Sequence, residues 1–220
     1  MTTNSKNSAL RTRLGAVAAL LTIGLLLAAS SARAVTFDFT SDHCTGGCGT
    51  PPFGTVTLTQ SGTSVDITVH LLDSNTWANT ASTDNELFKF NDATISLSDI
   101  LVTQTFAGET LEAQTGTFNG DGTGDFSFGI ACTTCKNGAT GISSDIVFTV
   151  NNTTIADLTQ GNNLGIIFVA DILSGTTGNT GPVDVTGGGN NAPDSGSTAL
   201  LLGLGLIGLG WVRVPFRKKA

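Results

Sequence analysis

The sequence predicts an all-β fold, an antiparallel β-sandwich or jelly roll. About ten short runs of alternating or β-branched residues recur at intervals of roughly ten residues, separated by Gly, Asn, Asp and Thr, as in sandwiches. No sustained helical period interrupts them. Thr and Ser fill the alternate positions of several runs, which gives each sheet one solvated face, as antiparallel packing allows.

The hairpin of residues 54–60 and 64–71 is the clearest local prediction. Both segments, GTVTLTQ and SVDITVHL, alternate with period two. Residues 61–63 between them form a three-residue loop, in which glycine accommodates a positive φ. The pattern places five apolar residues on one face of the pair: Val56, Leu58, Val65, Ile67 and Val69.

Shorter patterns predict the other elements. Residues 119–125 (NGDGTGD) form a turn region, rich in residues that tolerate the left-handed conformation. Residues 152–159 have the only helix-like spacing and are given one or two turns, whereas residues 73–85, with Trp77, form a polar loop. Further strands are predicted at residues 35–39, 87–90, 93–101, 102–107, 109–118, 126–130, 145–150 and 164–170.

The first 34 residues have the composition of a secretory signal peptide. A basic region precedes an apolar stretch at residues 14–29, and Ala32 and Ala34 form an A-x-A cleavage site. We expect the mature chain to begin at Val35; an uncleaved N-terminal anchor is the alternative. The basic residues are Lys6, Arg11 and Arg13.

A second apolar segment lies near the C-terminus. Eighteen uncharged residues separate Asp194 from Arg213. As a helix they span about 27 Å, just enough for a hydrocarbon core of about 30 Å because Arg213 can snorkel to the headgroups. The basic residues after the segment should stay cytoplasmic, so the bulk of the chain lies on the other side. They are Arg213, Arg217, Lys218 and Lys219.

A short signature, Pro193, Asp194, Ser195 and Gly196, precedes this segment. Signature, apolar helix and basic cluster together resemble the C-terminal sorting signals of exosortase substrates, in particular the VPDSG variant of the PEP-CTERM class, although Ala192 stands where that variant has Val. The resemblance implies recognition by a membrane-embedded cysteine transpeptidase, removal of the tail, and release or attachment at the surface of a Gram-negative-type cell. The alternative is an ordinary C-terminal anchor.

These features divide the chain into four segments. Residues 1–34 are the signal peptide, 35–173 the β-sandwich domain and 192–220 the sorting signal with its transmembrane helix. Residues 174–191 are rich in Gly, Thr and Asn and are predicted to be a flexible linker that spaces the domain from the membrane. Only Val183 and Val185 within it indicate a possible last strand.

The exported part is strongly acidic. Residues 35–191 contain two lysines against sixteen Asp and Glu, a formal net charge of −14. Such a surface repels nucleic acid phosphates and anionic lipid, keeps the protein soluble and attracts divalent cations. We therefore predict no nucleic-acid partner.

The four cysteines form two close pairs, Cys44 with Cys48 and Cys132 with Cys135. An even count in an exported chain indicates disulfides, and closeness in sequence favours local pairing. Cross-pairing would close loops of some ninety residues and stabilise more, by about 4 to 5 kcal/mol. A Cys-x-x-Cys redox site and a four-thiolate zinc site are the remaining alternatives.

Other candidates for chemistry are weak. Asp121 and Asp125 of the glycine-rich turn could offer oxygens to Ca²⁺, but the EF-hand pattern and its closing Glu are missing. His43 and His70 belong to no nucleophile motif and are interpreted as exposed polar residues. Paired carboxylates for glycoside cleavage are not picked out by spacing, and Trp77 is the sole Trp or Tyr before the tail.

The sequence thus predicts an exported, membrane-sorted β-sandwich with a non-enzymatic role at the cell surface or in the extracellular matrix. It requires no cofactor, and its predicted partner is an exosortase-type transpeptidase. The alternatives are a glycan- or Ca²⁺-binding module and a hydrolase of extracellular polysaccharide.

Overall fold

The computed structural model describes residues 33–79, 85–104, 106–186 and, for the backbone only, 190–191. Ala32 and the residues before it, and the predicted sorting segment 192–220, lie outside these residues. The strands formed in the described part are β1 (Arg33–Asp38), β2 (Ser41–Asp42), β3 (Gly54–Ser61), β4 (Ser64–Leu71), β5 (Thr76–Asn79), β6 (Glu86–Phe90), β7 (Ile100–Leu101), β8 (Leu111–Asn119), β9 (Asp125–Cys132), β10 (Gly138–Ala139), β11 (Ile146–Asn151), β12 (Ile166–Leu173), β13 (Thr180–Thr186) and β14 (Asn190–Asn191).

Every pairing between these strands is antiparallel. The predicted all-β antiparallel class is therefore confirmed. The strand order of the two sheets does not establish a jelly roll.

The first sheet contains the predicted hairpin. Its order is β14-β1-β3-β4-β11-β7. β3 and β4 pair along their whole length, and Ser61 pairs with Ser64, so the turn is one residue shorter than predicted and consists of Gly62 and Thr63. Gly62 has a φ of +62°, as expected for this turn. The predicted inward-facing residues are all buried: Val56, Leu58, Val65, Ile67 and Val69.

The second sheet is built around β12, whose residues are buried on both faces of the sheet. β13 pairs with one side of it, while β6 and β5 pair with successive parts of its other side. β9 and β8 continue the sheet beyond β6, β10 pairs with β5, and β2 borders β13. The apolar run of β12, interrupted only by Asp171, is typical of a strand covered on both faces.

Aromatic rings from the two sheets meet in one core. Phe88 and Phe90 of β6 pack on Phe148 of β11, with ring centroids 5.9 and 5.5 Å apart. Phe37 of β1 packs edge-on against Phe168 of β12 at 5.6 Å. Because β6 and β12 belong to one sheet and β1 and β11 to the other, these contacts join the sheets face to face. All five phenylalanines are buried.

Residues 93–107 do not form the two predicted strands. A 3₁₀ turn, Leu97–Asp99, occupies the middle of the first predicted strand. Among the described residues of this range, the two residues of β7 pair with β11, and Phe106 forms an isolated bridge with Glu109. Leu97, in the middle of the strand predicted at residues 93–101, is 40% exposed. The reason is local: the Ser96 amide and hydroxyl both donate to Asp99 Oδ2, at 2.8 and 2.7 Å, and such bonds compete with a strand ladder. β8 consequently pairs with β9 rather than with residues 102–107.

The prediction of a polar loop at residues 73–85 is wrong around Trp77. This residue lies in β5, is fully buried, and donates from Nε1 to the Ser144 carbonyl at 2.8 Å. Burial of one large ring with its N–H satisfied outweighs the polar neighbours that suggested a loop.

The folded domain extends beyond the predicted boundary at residue 173. β13 pairs with β12, and Val183 and Val185 are buried, so the possible last strand is confirmed. Residues 174–186 therefore belong to the domain and not to a linker, and β14 pairs with β1. The long ladder with β12 compensates for the weak strand propensity of this Gly- and Thr-rich segment.

Helical structure is short where it is described. α1 (Ile155–Leu158) lies within the predicted helical segment, and Thr154 caps it by accepting from the Asp157 amide at 3.2 Å. Among the residues described, no helix has the length and apolar character needed to cross a bilayer. The predicted membrane helix between Asp194 and Arg213 lies outside them.

Candidate functional site

Both cysteine pairs form local disulfides. Cys44–Cys48 closes the loop after β2, and Cys132–Cys135 closes the loop after β9, each with a Cα–Cα distance of 5.4 Å. The predicted local pairing is confirmed. The alternative of cross-pairing is wrong. A four-thiolate zinc site is also wrong for the disulfide-bonded protein, because no cysteine remains as a free thiol.

A carboxylate lies beside each disulfide. Asp42 is near the first and its Oδ1 accepts from the Cys48 amide at 3.3 Å, while Glu109 is near the second. With the sulfurs bonded to each other, neither group offers thiolates to a metal. Cys132 ends β9 and no helix begins there, so the helix N-terminus that commonly stabilises a redox thiolate is missing from this described loop.

The glycine-rich turn, residues 119–125, joins β8 to β9. Asp121 and Gly122 both have positive φ, 28° and 89°, as the turn chemistry predicted. Asp125 is exposed, and its Oδ1 accepts from Asn119 Nδ2 at 3.0 Å. Within the described residues neither acid belongs to a group of three close ligating side chains. The Ca²⁺ site at Asp121 and Asp125 stays a prediction.

The two histidines lie on different sheets, each beside a carboxylate. His70 of β4 is exposed and its Nδ1 lies 2.6 Å from Asp145 Oδ1. His43, which follows β2, is 31% exposed and its Nε2 lies 2.8 Å from Oδ2 of the fully buried Asp184. Both histidines are exposed, as predicted, and the partner of each is a carboxylate.

The structure also brings together three charged side chains that the sequence analysis did not single out. Lys89 Nζ lies 2.7 Å from Asp171 Oδ2 and donates to the Glu86 carbonyl oxygen at 3.1 Å. Lys89 is 1%, Glu86 3% and Asp171 6% exposed. We call these three residues the charged cluster. Their sequence signal was charge inside apolar runs, ELFKF and IIFVADIL.

Neighbouring strands fix the charged cluster on the outer face of the second sheet. Lys89 lies directly opposite Gly129 on one side and Val169 on the other, so Asp171 is its diagonal neighbour on β12. The Glu86 side chain lies over Gly129, where an added Cβ would come within 2.8 Å of the Glu86 Cβ. Gly129 therefore provides the space that Glu86 occupies.

The glycine-rich turn covers this face. A Cβ added at Gly120 would lie 3.7 Å from Lys89 Nζ and 3.8 Å from Val169. Thr123 is fully buried, and its hydroxyl donates to the Gly120 carbonyl. Val169 packs in a small apolar cluster with Phe126 and Ile166. The charged cluster is thus enclosed by backbone and apolar side chains, where water has little access.

A cleft of about 490 Å³ is lined mainly by polar residues. It contains two acids. Asp92 is 4% exposed and accepts from Thr94 through Oδ1 and from Thr153 through Oδ2, so it is held in place. Asp125 is exposed. The lining residues are Asn91, Asp92, Ala93, Asp125, Ser127, Gln160, Gly161, Asn162 and Asn163.

Of the residues predicted for processing, only Ala34 is described, in β1 opposite Thr59. Ala32, the signature and the basic cluster lie outside the described part. No curated protein and no solved structure matches the chain. Residues 193–213, which begin at Pro193 of the signature and end at Arg213, match the VPDSG-CTERM motif. The chain therefore carries a PEP-CTERM-like exosortase-targeting C-terminal sorting signal.

Proposed function

We propose that this chain is a non-enzymatic component of the cell surface or extracellular matrix, delivered by an exosortase-type transpeptidase. The observation that carries the proposal is the VPDSG-CTERM motif at residues 193–213, which follows a folded β-domain. The motif points to export and surface association. The role of the domain as structural cargo is the further step that we propose.

The chemistry of the domain supports an extracellular place. Two disulfides suit an oxidising compartment. A formal charge of −14 over residues 35–191, from two lysines and sixteen acids, favours solubility and disfavours binding to nucleic acid. In the described cleft and at both histidines the polar groups are bound mainly to one another, which suits a structural role better than acid–base chemistry.

The route of delivery follows from the two chain ends. The N-terminal signal peptide starts export and is removed after Ala34. The apolar helix after Gly196 then holds the chain in the membrane, with Arg213 and the basic residues that follow it on the cytoplasmic side. The transpeptidase acts at the signature, removes the tail and releases or attaches the domain.

Variants of the signature test this proposal in cells that contain the processing enzyme. We expect the wild-type chain to lose its apolar tail, whereas the double variant Asp194→Ala, Ser195→Ala keeps the tail and accumulates in the membrane fraction. The matched control, Ser197→Ala with Thr198→Ala, changes the next polar pair and should be processed as the wild type is. Mass spectrometry of the C-terminal peptide distinguishes the forms. A wild-type surface protein that retains its tail would leave an ordinary anchor instead.

The polar cleft favours one second candidate, a carbohydrate-binding module. Its volume of about 490 Å³ lies in the range of small-molecule sites, and amides and carboxylates pair well with sugar hydroxyls. A hydrolase at the same place is disfavoured because the hydrogen bonds of Asp92 leave Asp125 as the only exposed acid in the cleft. A glycan array tests binding: a signal weakened by Asn163→Ala and unchanged by Thr57→Ala on the other sheet supports the module, and no signal argues against it.

A further inference from the structure

The charged cluster places an amine and a carboxyl group within bonding reach on adjacent strands. Lys89 Nζ is 2.7 Å from Asp171 Oδ2. Lys89 lies opposite Val169 in the β6–β12 ladder, and β9 on one side and β13 on the other hold both strands in register. The backbone positions of Lys89 and Asp171 are therefore fixed relative to each other. Effective concentrations of about 10⁵ to 10⁸ M arise when two groups are fixed in this way.

The surroundings favour reaction over a stable ion pair. Lys89 is 1% and Asp171 6% exposed, and the glycine-rich turn closes over them. Burial penalises charged forms, so transfer of a proton from the ammonium to the carboxylate, giving a neutral amine and a neutral acid, is less costly here than in water. These neutral forms are the reactants for amide formation. We propose that Lys89 and Asp171 are joined by an intramolecular amide bond.

The reaction balances without any co-reactant. After the proton transfer, the lone pair of Lys89 Nζ attacks Asp171 Cγ and a C–N bond forms. One remaining N–H proton passes to the departing hydroxyl, the C–O bond breaks, and one water leaves. The product is a secondary amide between the two side chains, and no group is oxidised or reduced. The product also removes two charges from a buried site, where each is costly.

Glu86 is the third member of the cluster, and its backbone carbonyl accepts a hydrogen bond from Lys89 Nζ at 3.1 Å. Its side chain covers Gly129, which is the residue directly opposite Lys89, so the Glu86 side chain is on the same face of the sheet as Lys89. It is 3% exposed. A carboxyl group in this position can take the proton from nitrogen and give it to the departing oxygen. We assign Glu86 this proton-relay role.

The bond would connect parts of the chain that the disulfides leave unconnected. Residues 89 and 171 are 82 positions apart, whereas the disulfides close separations of four and three. The link would therefore restrict the unfolded chain far more than either disulfide does. It joins β6 to β12 at the centre of the second sheet, which suits a protein exposed to proteases and mechanical stress outside the cell. The inference concerns the folded domain alone and does not depend on the sorting proposal.

A tryptic map of the full chain, denatured and with its disulfides reduced, tests the bond. Lys89 and Lys136 are the only tryptic sites between Arg33 and Arg213. Trypsin does not cleave after an acylated lysine, so we expect fragment 34–136 to stay whole and to be joined to fragment 137–213, with a mass one water below their sum. Three separate fragments, 34–89, 90–136 and 137–213, from natively folded protein would overturn the proposal. A link from Lys89 to any acid other than Asp171 would overturn the assignment.

Matched variants locate the bond. Lys89→Arg keeps the charge and the tryptic site but cannot form the amide, so it should give three fragments. Asp171→Ala should give the same three. Protein kept unfolded from synthesis should be unlinked, and the linked fraction should rise after refolding at a rate independent of protein concentration. A link already present in the unfolded chain would contradict formation in the folded cluster.

Glu86→Gln tests the proton relay separately. The variant keeps size and hydrogen bonding but cannot carry the proton, so we expect link formation to slow by at least about tenfold, within the usual range for loss of general acid–base catalysis. Circular dichroism checks that the variant is folded. Formation at the wild-type rate would remove Glu86 from the mechanism while leaving the bond itself supported.

Discussion

The outer faces of the two sheets differ in their exposure to solvent: that of the first sheet is partly exposed, whereas that of the second sheet is buried at β6. On the first sheet β3 alternates buried Val56 and Leu58 with half-buried Thr55, Thr57 and Thr59. On the second sheet β6 is buried at every position, and its outward-facing lysine lies beneath the glycine-rich turn. Alternation marks a strand with one wet face, and its loss marks a strand covered on both. A charge in such a strand therefore needs its partner nearby.

The strongest test of this difference is Lys89→Met. Removal of the ammonium leaves Asp171 buried without its counter-charge, which costs about 3 to 5 kcal/mol of unfolding free energy. A covalent link between the same side chains would enlarge the loss. Denaturant unfolding followed by circular dichroism measures it.

The double variant Lys89→Met, Asp171→Leu is the control for that loss. It replaces both partners by apolar groups and should recover the part of the loss that comes from the unpaired buried carboxylate, since a well-packed apolar pair is often as stable as an ion pair. The part contributed by a covalent link should stay lost. Equal stability of the single variant and the wild type would mean that the cluster is not a buried pair.

A smaller effect is expected from Gly129→Ala on the same face. The added Cβ would come within 2.8 Å of the Glu86 Cβ, and overpacking of this kind costs about 1 to 3 kcal/mol. The cost should shrink in a Glu86→Ala background, because the obstructing side chain is then gone. Thermal unfolding of the four proteins gives the coupling energy. Additive effects of the two changes would refute the packing of Glu86 over Gly129.

On the first sheet, removal of a polar contact from the outer face should change the free energy of unfolding only slightly. Thr57 Oγ1 lies 3.1 Å from Thr36 Oγ1 across the β1–β3 pair, on the half-exposed face. Cross-strand pairs of this kind contribute about 0.2 to 1 kcal/mol, so Thr57→Ala should cost no more than that. A loss as large as that of Lys89→Met would erase the contrast between the two faces.

The smallest expected effect is on the stability of the domain at acidic pH. Hydrogen bonds from the Ser96 hydroxyl and amide, with one from Asn152, lower the pKa of Asp99, which is partly exposed. The pKa of Asp99 is lower in the folded state than in the unfolded chain, so on acidification the unfolded chain binds the proton first. Asp99 therefore stabilises the fold above the ordinary pKa of aspartate, about 3.9, and this stabilisation is lost as the pH falls below that value. Asp99→Asn should flatten this part of the stability–pH curve slightly. An NMR titration of the Asp99 carboxyl carbon checks the direction of the shift.

The difference between the half-exposed first sheet and the buried second sheet explains which elements could be predicted from the sequence. The inward-facing residues of the β3–β4 hairpin were predictable one by one, because period-two alternation indicates a half-solvated sheet. The spacing of the cysteines favoured local disulfides but left cross-pairing open. The strand predicted at residues 93–101 is wrong around Leu97, because the Ser96–Asp99 hydrogen bonds interrupt it and the sequence period does not reveal them.

The charged cluster could not be predicted from spacing. Lys89 and Asp171 are 82 residues apart, and their contact exists only because β6 and β12 are neighbours, which is a property of topology. The signature at residues 193–196, in contrast, does not depend on the fold for its identification. A processing enzyme recognises it as a linear segment, so the sequence alone was sufficient to identify it, and the family match at 193–213 agrees.

The central claim is that the chain is cargo, sorted by its C-terminal signal and trimmed at the surface. Mass spectrometry of the C-terminal tryptic peptide, from protein isolated at the surface of the native cells, tests it most directly. We expect the fragment that begins at residue 137, which the proposed Lys89–Asp171 bond would join to the fragment containing Lys89, to end within or beside the signature at residues 193–196. A peptide that extends to Arg213 in the surface protein would contradict the account.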